Sequence, residues 1–202
     1  MRSIGALVFP GFETLDLFGP IQMFGSVKDA FRISIVGERS RPVPSRHGQS
    51  IEVGQTVDDN HGYDILLIPG GPGTWDQIDN THLLNWIVAA SQRAEIVMSV
   101  CTGAAFLAKA GLLEGRSATT NKSDFDWVTQ FGDDVAWQGR ARWVGDGKFH
   151  TSSGVSAGMD MSLAVIEDLL GAEAADGAAI HSEYVRQRDP DNDPFALHFD
   201  MT

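Results

Sequence analysis

Basic residues, cysteines and long apolar runs are all scarce in this 202-residue chain, and each shortage excludes a class of function. The 15 Lys and Arg residues face 27 Asp and Glu residues, for a formal net charge of −12. This charge argues against binding to nucleic acid or to an anionic membrane, because both would repel the protein. No stretch approaches the roughly 18 uninterrupted apolar residues that indicate a transmembrane helix. The chain runs directly into a strand-like segment at 4–9 without a charged leader, which predicts a cytoplasmic protein.

The single cysteine, Cys101, cannot form an internal disulfide, which agrees with a reducing compartment and leaves one free thiol to explain. The six histidines show no metal-ligand spacing. Asp189, Asp191 and Asp193 alternate as in a calcium loop, but prolines interrupt them, so we predict a capped, extended tail. Gly-rich residues 70–73 lack the ending of a P-loop and the spacing of a dinucleotide fingerprint. We therefore expect neither a metal nor a cofactor.

Strand-like and helix-like segments alternate along the chain. The predicted strands are 4–9, 31–36, 64–68 and 96–100, and the predicted helices between and after them are 15–27, 81–91 and 102–110. Further on, we predict a strand end at 117–120, a helix at 123–131, a hairpin of 135–144 with 148–151, and helices at 157–170 and 172–185. This order predicts one α/β domain over 1–202, a mostly parallel sheet with helices on both faces.

Cys101 stands where a β-branched run turns directly into a helix-like segment. Ser99 and Gly103, two residues to either side, are small, as a tight strand–nucleophile–helix elbow requires. The free N–H groups and positive dipole of a helix start favour a thiolate, so we expect the elbow to expose Cys101 and to lower its pKa. The alternative is a small buried hydrophobe, since free cysteine is among the most buried residue types.

Two other turns are expected at the same edge of the sheet, where ligands of parallel sheets collect. Gly70 and Gly71 follow a strand and offer unencumbered backbone N–H groups that suit an oxyanion hole, with a plain turn as the alternative. Asp16 is surrounded by apolar residues at the start of the first helix, where burial should raise its pKa toward neutrality. An N-terminal helix cap is the alternative for Asp16.

Together these motifs resemble the ThiJ/PfpI superfamily, the class I glutamine-amidotransferase-like proteins with a flavodoxin-like sandwich. The matching segments span nearly the whole chain and are 9–20, 68–71, 99–103, 118–120 and 153–160. Within the superfamily, the Asp-Leu-x-Gly-Pro segment and the Cys-Thr-Gly elbow are most similar to isocyanide hydratases and to the sensor domains of related transcriptional regulators. Those regulators carry a helix-turn-helix module after this domain, and we expect none here because the chain ends too early for one.

The resemblance implies roles for individual residues. Cys101 matches the nucleophile, Asp16 the acidic residue that contacts it, and Gly71 with Thr102 the positions that supply backbone N–H donors. Val155 should line the pocket. The resemblance also implies a homodimer with each elbow near the interface, and a small-molecule substrate.

One departure from the superfamily concerns histidine. Proteases and glyoxalases of the superfamily carry one directly after the cysteine or after the Thr-Thr pair, where this chain has Thr102 and Asn121. We therefore predict an isocyanide hydratase, in which the Cys101 thiolate attacks the isocyanide carbon and Asp16 acts first as acid and then as base. Two alternatives stay open. A redox or metabolite sensor would hold Cys101 as a sulfinic acid, and glyoxalase or amidase activity is disfavoured by Thr102 and Asn121.

Overall fold

The computed structural model describes residues 1–59 and 61–201. Its strands are β1 (Arg2–Val8), β2 (Phe31–Gly37), β3 (Val43–Pro44), β4 (Ser50–Ile51), β5 (Gln55–Thr56), β6 (Ile65–Ile68), β7 (Ile96–Val100), β8 (Ser117–Ala118), β9 (Ala136–Trp137), β10 (Trp143–Asp146) and β11 (Phe149–Ser152). Its helices are α1 (Thr14–Gly25), α2 (Gly73–Gln77), α3 (Thr81–Arg93), α4 (Ala104–Lys109), α5 (Phe125–Thr129), α6 (Ala157–Leu170) and α7 (Ala172–His181). Short 3-10 turns lie at Cys101–Gly103 and Ala196–Phe199.

A seven-stranded sheet forms the centre of the fold, with the strand order β10-β11-β7-β6-β1-β2-β5. Its pairs are parallel except the antiparallel pair of β10 and β11. Every residue of β6 and β7 is buried, as continuous apolar strands covered on both faces should be. The predicted mostly parallel sheet is therefore confirmed, and its two most apolar strands lie side by side.

The helices form two groups that pack on the sheet. α1, α6 and α7 contact one another, and α4 contacts both α3 and α5. Both groups reach β7, because α4 and α6 each contact that strand. Within the described residues, no helix is both long and apolar enough to cross a membrane.

The structure corrects several predicted boundaries. β8 does not extend the main sheet but pairs in parallel with β9, so the predicted hairpin arm 135–144 is wrong before Trp143. The helix predicted at 102–110 opens with the 3-10 turn and is helical only over Ala104–Lys109. The last helix ends at His181 rather than at residue 185, because Glu183 adopts a positive φ of 47° that a helix cannot continue.

The residues after α7 fold back onto the body of the protein. The N–H of Arg142 donates to the carbonyl of Pro190 at 2.7 Å, and the N–H of Asp193 donates to the carbonyl of Arg140 at 2.8 Å. Asp193 is only 2% exposed. The predicted cap is present, since the N–H of Asp191 donates to Asp189 Oδ1 at 3.0 Å, and no helix or strand covers residues 189–193. The sequence did not predict that the Asp193 carboxylate is buried and anchors the segment.

Candidate active site

The predicted elbow at Cys101 is confirmed by the backbone. β7 ends at Val100, and Cys101 follows with a φ of +56°, in the left-handed region that a residue with a side chain rarely occupies. Gly103 leaves no room for a side chain, since an added Cβ would lie 2.4 Å from the carbonyl oxygen of Ile68. Such a strained residue between a buried strand and a helix has the geometry of a nucleophile elbow.

Two loops hold the backbone of the elbow in place. The N–H of Cys101 donates to the carbonyl of Ser153 at 3.3 Å, directly after β11. The hydroxyl of Thr120 donates to the carbonyl of Cys101 at 2.8 Å. Both backbone groups of Cys101 are thus satisfied by segments distant in sequence, which offsets part of the cost of the positive φ.

Asp16 lies beneath the elbow with its side chain fully buried. Burial raises its pKa from 3.8 to about 8, and the nearby charge of Glu13 adds to the rise. The N–H of Gly70, which donates to Asp16 Oδ2 at 3.0 Å, opposes the rise, as does the Cys101 thiol. Among the described residues Oδ1 has no hydrogen-bond partner, and the thiol near the carboxyl is only a weak donor. The predicted rise in pKa is confirmed, and Asp16 does not cap the helix, because the N-cap is Glu13.

The expectation of an exposed, acidic thiol is wrong. Cys101 is 7% exposed, and burial raises its pKa well above 9.0. The Asp16 carboxyl raises it further, whereas the backbone N–H groups of Thr102 and Val155 lower it. The 3-10 turn and the six-residue α4 supply too little dipole to offset this burial. The carboxyl therefore loses its proton before the thiol does, and the two groups titrate as a coupled pair.

The glycine pair is built into the site through its backbone. The N–H of Gly71 donates to the hydroxyl of Thr102 at 2.9 Å, and that of Gly70 is taken by Asp16. Gly71 has a φ of +120°, and a Cβ there would lie 2.3 Å from the N of Glu13, so only glycine fits. The N–H groups near the sulfur are those of Thr102 and Val155. The expectation of unencumbered N–H groups at Gly70 and Gly71 is therefore wrong, because both groups are hydrogen-bonded within the protein. The use of any of these groups as donors to a substrate stays a prediction.

Two cavities open beside the thiol and share Cys101, Asn121, Ser123 and Val155 as lining residues. The first, of about 290 Å³, is completed by the C-terminal residues Asp193, Phe195 and Phe199; we call it the tail cavity. The second, of about 220 Å³, is completed by Glu13, Arg46, Trp75 and Asp124; we call it the Glu13 cavity. Neither cavity is lined by a histidine in the part of the chain that the structure describes.

Asn121 follows the Thr-Thr pair, at the position where proteases and glyoxalases of the superfamily carry a histidine. Its side-chain nitrogen donates to the hydroxyl of Ser123 at 2.9 Å and to the carboxylate of Asp124. The amide is therefore fixed at the rim of both cavities and is not available as a base, since an amide does not titrate.

Sequence reasoning missed the charged wall of the Glu13 cavity. Arg46 donates from Nη1 to Glu13 Oε2 at 3.0 Å, and the Glu13 side chain is 10% exposed. His47 lies 3.6 Å from the other oxygen of Glu13. The sequence could have indicated that Glu13 lies near the site, because it precedes Asp16 by three residues and one helical turn brings such neighbours together.

No metal site accompanies these groups within residues 1–59 and 61–201, since no three His, Cys, Asp or Glu side chains there are grouped as ligands. The chemistry that the arrangement can supply is that of a thiol, a protonated buried carboxyl and backbone N–H donors. Such a set can form a covalent thioadduct and move protons at the carbon that the sulfur attacks.

Comparison with known proteins places this geometry in context. The model of the DJ-1/PfpI family matches residues 2–168. An isonitrile hydratase of Pseudomonas putida is 33% identical over 182 residues, which cover 90% of this chain and 78% of that protein. The crystal structure of a ThiJ/PfpI family protein from Pseudomonas syringae superposes with a TM-score of 0.84 at 34% identity, covering 92% of this chain and 76% of the other.

A transcriptional regulator is also similar to the chain. The HTH-type regulator GbdR of Pseudomonas aeruginosa is 27% identical over 192 residues, which cover 93% of this chain but only 51% of the regulator. The chain therefore matches about half the length of that protein.

Proposed function

Because this chain belongs to the DJ-1/PfpI family, and its fold is the flavodoxin-like α/β sandwich of that family, we propose that it hydrates an organic isocyanide to the N-formamide. The observation that carries the proposal is the pairing of a buried Asp16 carboxyl, protonated at neutral pH, with the Cys101 thiol at a strained elbow. The isonitrile hydratase of Pseudomonas putida supports the choice of substrate class.

The first step adds the thiol across the isocyanide carbon. The sulfur of Cys101 forms a bond to that carbon, the Asp16 carboxyl delivers its proton to the same carbon, and the thiol proton passes to the carboxyl. Oδ1 is suited to this relay because Oδ2 is engaged by the N–H of Gly70, which leaves Oδ1 without a hydrogen-bond partner among the described residues. The product is a thioimidate, R–N=CH–S, and Asp16 regains the proton that it gave.

The second step uses water. Water forms a bond to the thioimidate carbon while the Asp16 carboxyl takes one of its protons and protonates the nitrogen. The carbon–sulfur bond then breaks, the thiol recovers a proton, and R–NH–CHO leaves. No histidine is required, in agreement with the absence of histidine from the lining of both cavities in the described residues.

The experiment is an assay of the purified protein with an aromatic isocyanide, in which formamide is followed by its absorbance. We expect turnover by the wild type and none by Cys101→Ala. With Asp16→Asn, mass spectrometry should detect no adduct or a persistent covalent one, because an amide cannot relay a proton. Failure of the wild type to form formamide, or full activity of either variant, would contradict the proposal.

A redox sensor without turnover is the second candidate, and the similarity to a transcriptional regulator favours it. Peroxide, however, attacks thiolates, and burial raises the pKa of the Cys101 thiol. We therefore expect Cys101 to be oxidised no faster than the exposed Met1 at pH 7, as read from a peptide map. Rapid conversion of Cys101 to the sulfinic acid, without any isocyanide turnover, would favour the sensor.

We also propose the homodimer that the resemblance implies. Leu15 and Phe18 on α1 and Val155 beside the elbow are large apolar side chains that are each at least 36% exposed, and a partner would cover them. Sedimentation velocity should show a dimer in the wild type and a weakened dimer in Phe18→Glu. A monomeric wild type at micromolar concentration would refute the proposal. A cytoplasmic location stays a prediction from the sequence.

A further inference from the structure

The C-terminal segment, residues 186–201, lies outside the part of the chain that the family model matches, which ends at residue 168. This segment nevertheless reaches the thiol, because Asp193, Phe195 and Phe199 line the tail cavity together with Cys101. The reacting groups, Asp16 and Cys101, therefore lie within the part that the family model matches, whereas this wall of the tail cavity lies outside it.

Buried charges fix the C-terminal segment in place. Asp193 lies between Arg142 Nη1 at 3.4 Å and Lys122 Nζ at 3.8 Å, and all three side chains are almost completely buried. Arg142 in turn pairs with the buried Asp160 at 2.8 Å. The N–H of Phe195 donates to Asp193 Oδ1 at 3.1 Å, so the position of that carboxylate also sets the position of the first ring.

Lys122 lines the tail cavity but is already engaged. Its ammonium group donates to the carbonyl of Ala141 at 2.7 Å and to the hydroxyl of Thr119 at 3.2 Å, in addition to its ion pair with Asp193. An ammonium group has three donors, so little capacity remains for a substrate. The charges beside this cavity neutralise one another and offer no free partner to a charged ligand.

Two half-exposed rings remain as the groups that a ligand would cover. Phe195 is 52% exposed and Phe199 is 45% exposed, both at the tail cavity. An apolar group placed against them would remove apolar surface from water, which is favourable in proportion to the area covered. The volume of about 290 Å³ is sufficient for a six-membered ring with its isocyano group, since a cavity of about 150 Å³ already holds benzene.

We propose that the C-terminal segment forms the subsite for the substituent of the isocyanide, with Phe195 and Phe199 selecting an apolar, ring-sized group. The proposal rests on the proposed function for the identity of the reacting group. The Glu13 cavity is lined by the Glu13–Arg46 ion pair and suits water better than an apolar substituent. Its aromatic residue, Trp75, is stacked on Trp127 with ring centroids 4.4 Å apart, so one face of the indole is already covered.

The test compares two isocyanides in matched variants. The values of kcat/KM for cyclohexyl isocyanide and methyl isocyanide are measured in the wild type, in Phe195→Ala and Phe199→Ala, in the double variant that combines them, and in Trp75→Ala. We expect the cyclohexyl-to-methyl ratio to fall about ten-fold in the double Phe variant and to stay unchanged in Trp75→Ala. A ratio that is unchanged in the Phe variants, or that falls in Trp75→Ala instead, would overturn the subsite. Because both rings are half-exposed, these variants should fold, which circular dichroism checks.

A second readout separates failure of the subsite from failure of the hydratase proposal. If no isocyanide is turned over, labelling of Cys101 by N-cyclohexylmaleimide and N-methylmaleimide still measures the preference of the tail cavity. Each reagent adds the thiol across its double bond, so the sulfur gains a carbon and the thiol proton goes to the adjacent carbon. We expect a preference for the cyclohexyl reagent that is lost in the Phe variants. An equal preference in wild type and variants, or a preference of the wild type for the methyl reagent, would refute the subsite.

Discussion

Replacing Asp16 by Asn should make the protein more stable at neutral pH. The Asp16 carboxyl is fully buried, and burial raises its pKa from 3.8 to about 8. Between these values the native state keeps the proton while the unfolded chain loses it, so the unfolded state gains from ionisation. An Asn side chain does not ionise in either state, and its carbonyl oxygen can still accept from the N–H of Gly70.

The magnitude follows from the linkage of proton binding to folding. Below about pH 4 the carboxyl is neutral in both states, so the two proteins should differ little. As pH rises to about 8, the wild type loses stability relative to the variant by about 1.4 kcal/mol per pH unit, and the difference then levels off. At pH 7 the variant should be about 4 kcal/mol more stable. The Cys101 thiol adds nothing in this range, because its raised pKa keeps it protonated.

The measurement is denaturant unfolding at pH 4.5, 6 and 7.5. A matched control is Asp193→Asn, which changes another buried carboxylate that, unlike Asp16, is paired with Arg142 and Lys122. Removing one partner of a buried ion pair leaves its counter-charges unpaired, so this variant should lose about 3 kcal/mol at pH 7. A stability difference between wild type and Asp16→Asn that is independent of pH, or that grows in favour of the wild type as pH rises, would refute the reasoning.

Three further outcomes follow from the site. Cys101→Ser should abolish formamide production, because no histidine lines either cavity in the described residues to activate an alcohol. Its far-ultraviolet circular dichroism should be unchanged, and a substantial residual rate would remove the sulfur from the mechanism. The rate of turnover should fall as pH rises through about 8, since the active form of Asp16 is the protonated one, and a rate that climbs with pH instead would contradict this assignment. Gly103→Ala should cost about 3 kcal/mol in denaturant unfolding, because its Cβ would lie 2.4 Å from the carbonyl oxygen of Ile68; an unchanged midpoint would show that the elbow can relax.

The parts of the fold that local sequence determines were predictable. β7 at Ile96–Val100 and α6 at Ala157–Leu170 have the predicted bounds, because each is a continuous apolar or amphipathic run between clear breaks. The raised pKa of Asp16 was also predicted in the correct direction, because an apolar stretch of sequence around a carboxyl indicates burial. The groups that contact this carboxyl, the N–H of Gly70 and the Cys101 thiol, come from distant parts of the chain.

The direction in which the Cys101 pKa shifts could not be predicted from the sequence. The helix start that should lower it is visible in the sequence, but the burial that raises it is produced by the tertiary fold, which leaves Cys101 only 7% exposed. The anchoring of the C-terminal segment was hidden for a related reason. Arg142, Lys122 and Asp193 are ordinary surface residue types, and only the tertiary fold brings their charges together in the core.

The burial of Asp16 links the stability of this protein to its proposed chemistry. A carboxyl exposed to water would be ionised at pH 7 and could not deliver a proton to the isocyanide carbon. Enclosure beneath the elbow keeps the proton on Asp16, and the same enclosure destabilises the native state once the unfolded chain can ionise. Between about pH 4 and pH 8, Asp16 therefore lowers the stability of the native state while it still holds the proton that it can donate. For this reason, variants that gain stability at this position should lose turnover, whereas changes at the rings of the tail cavity should alter substrate choice without altering the pH profile.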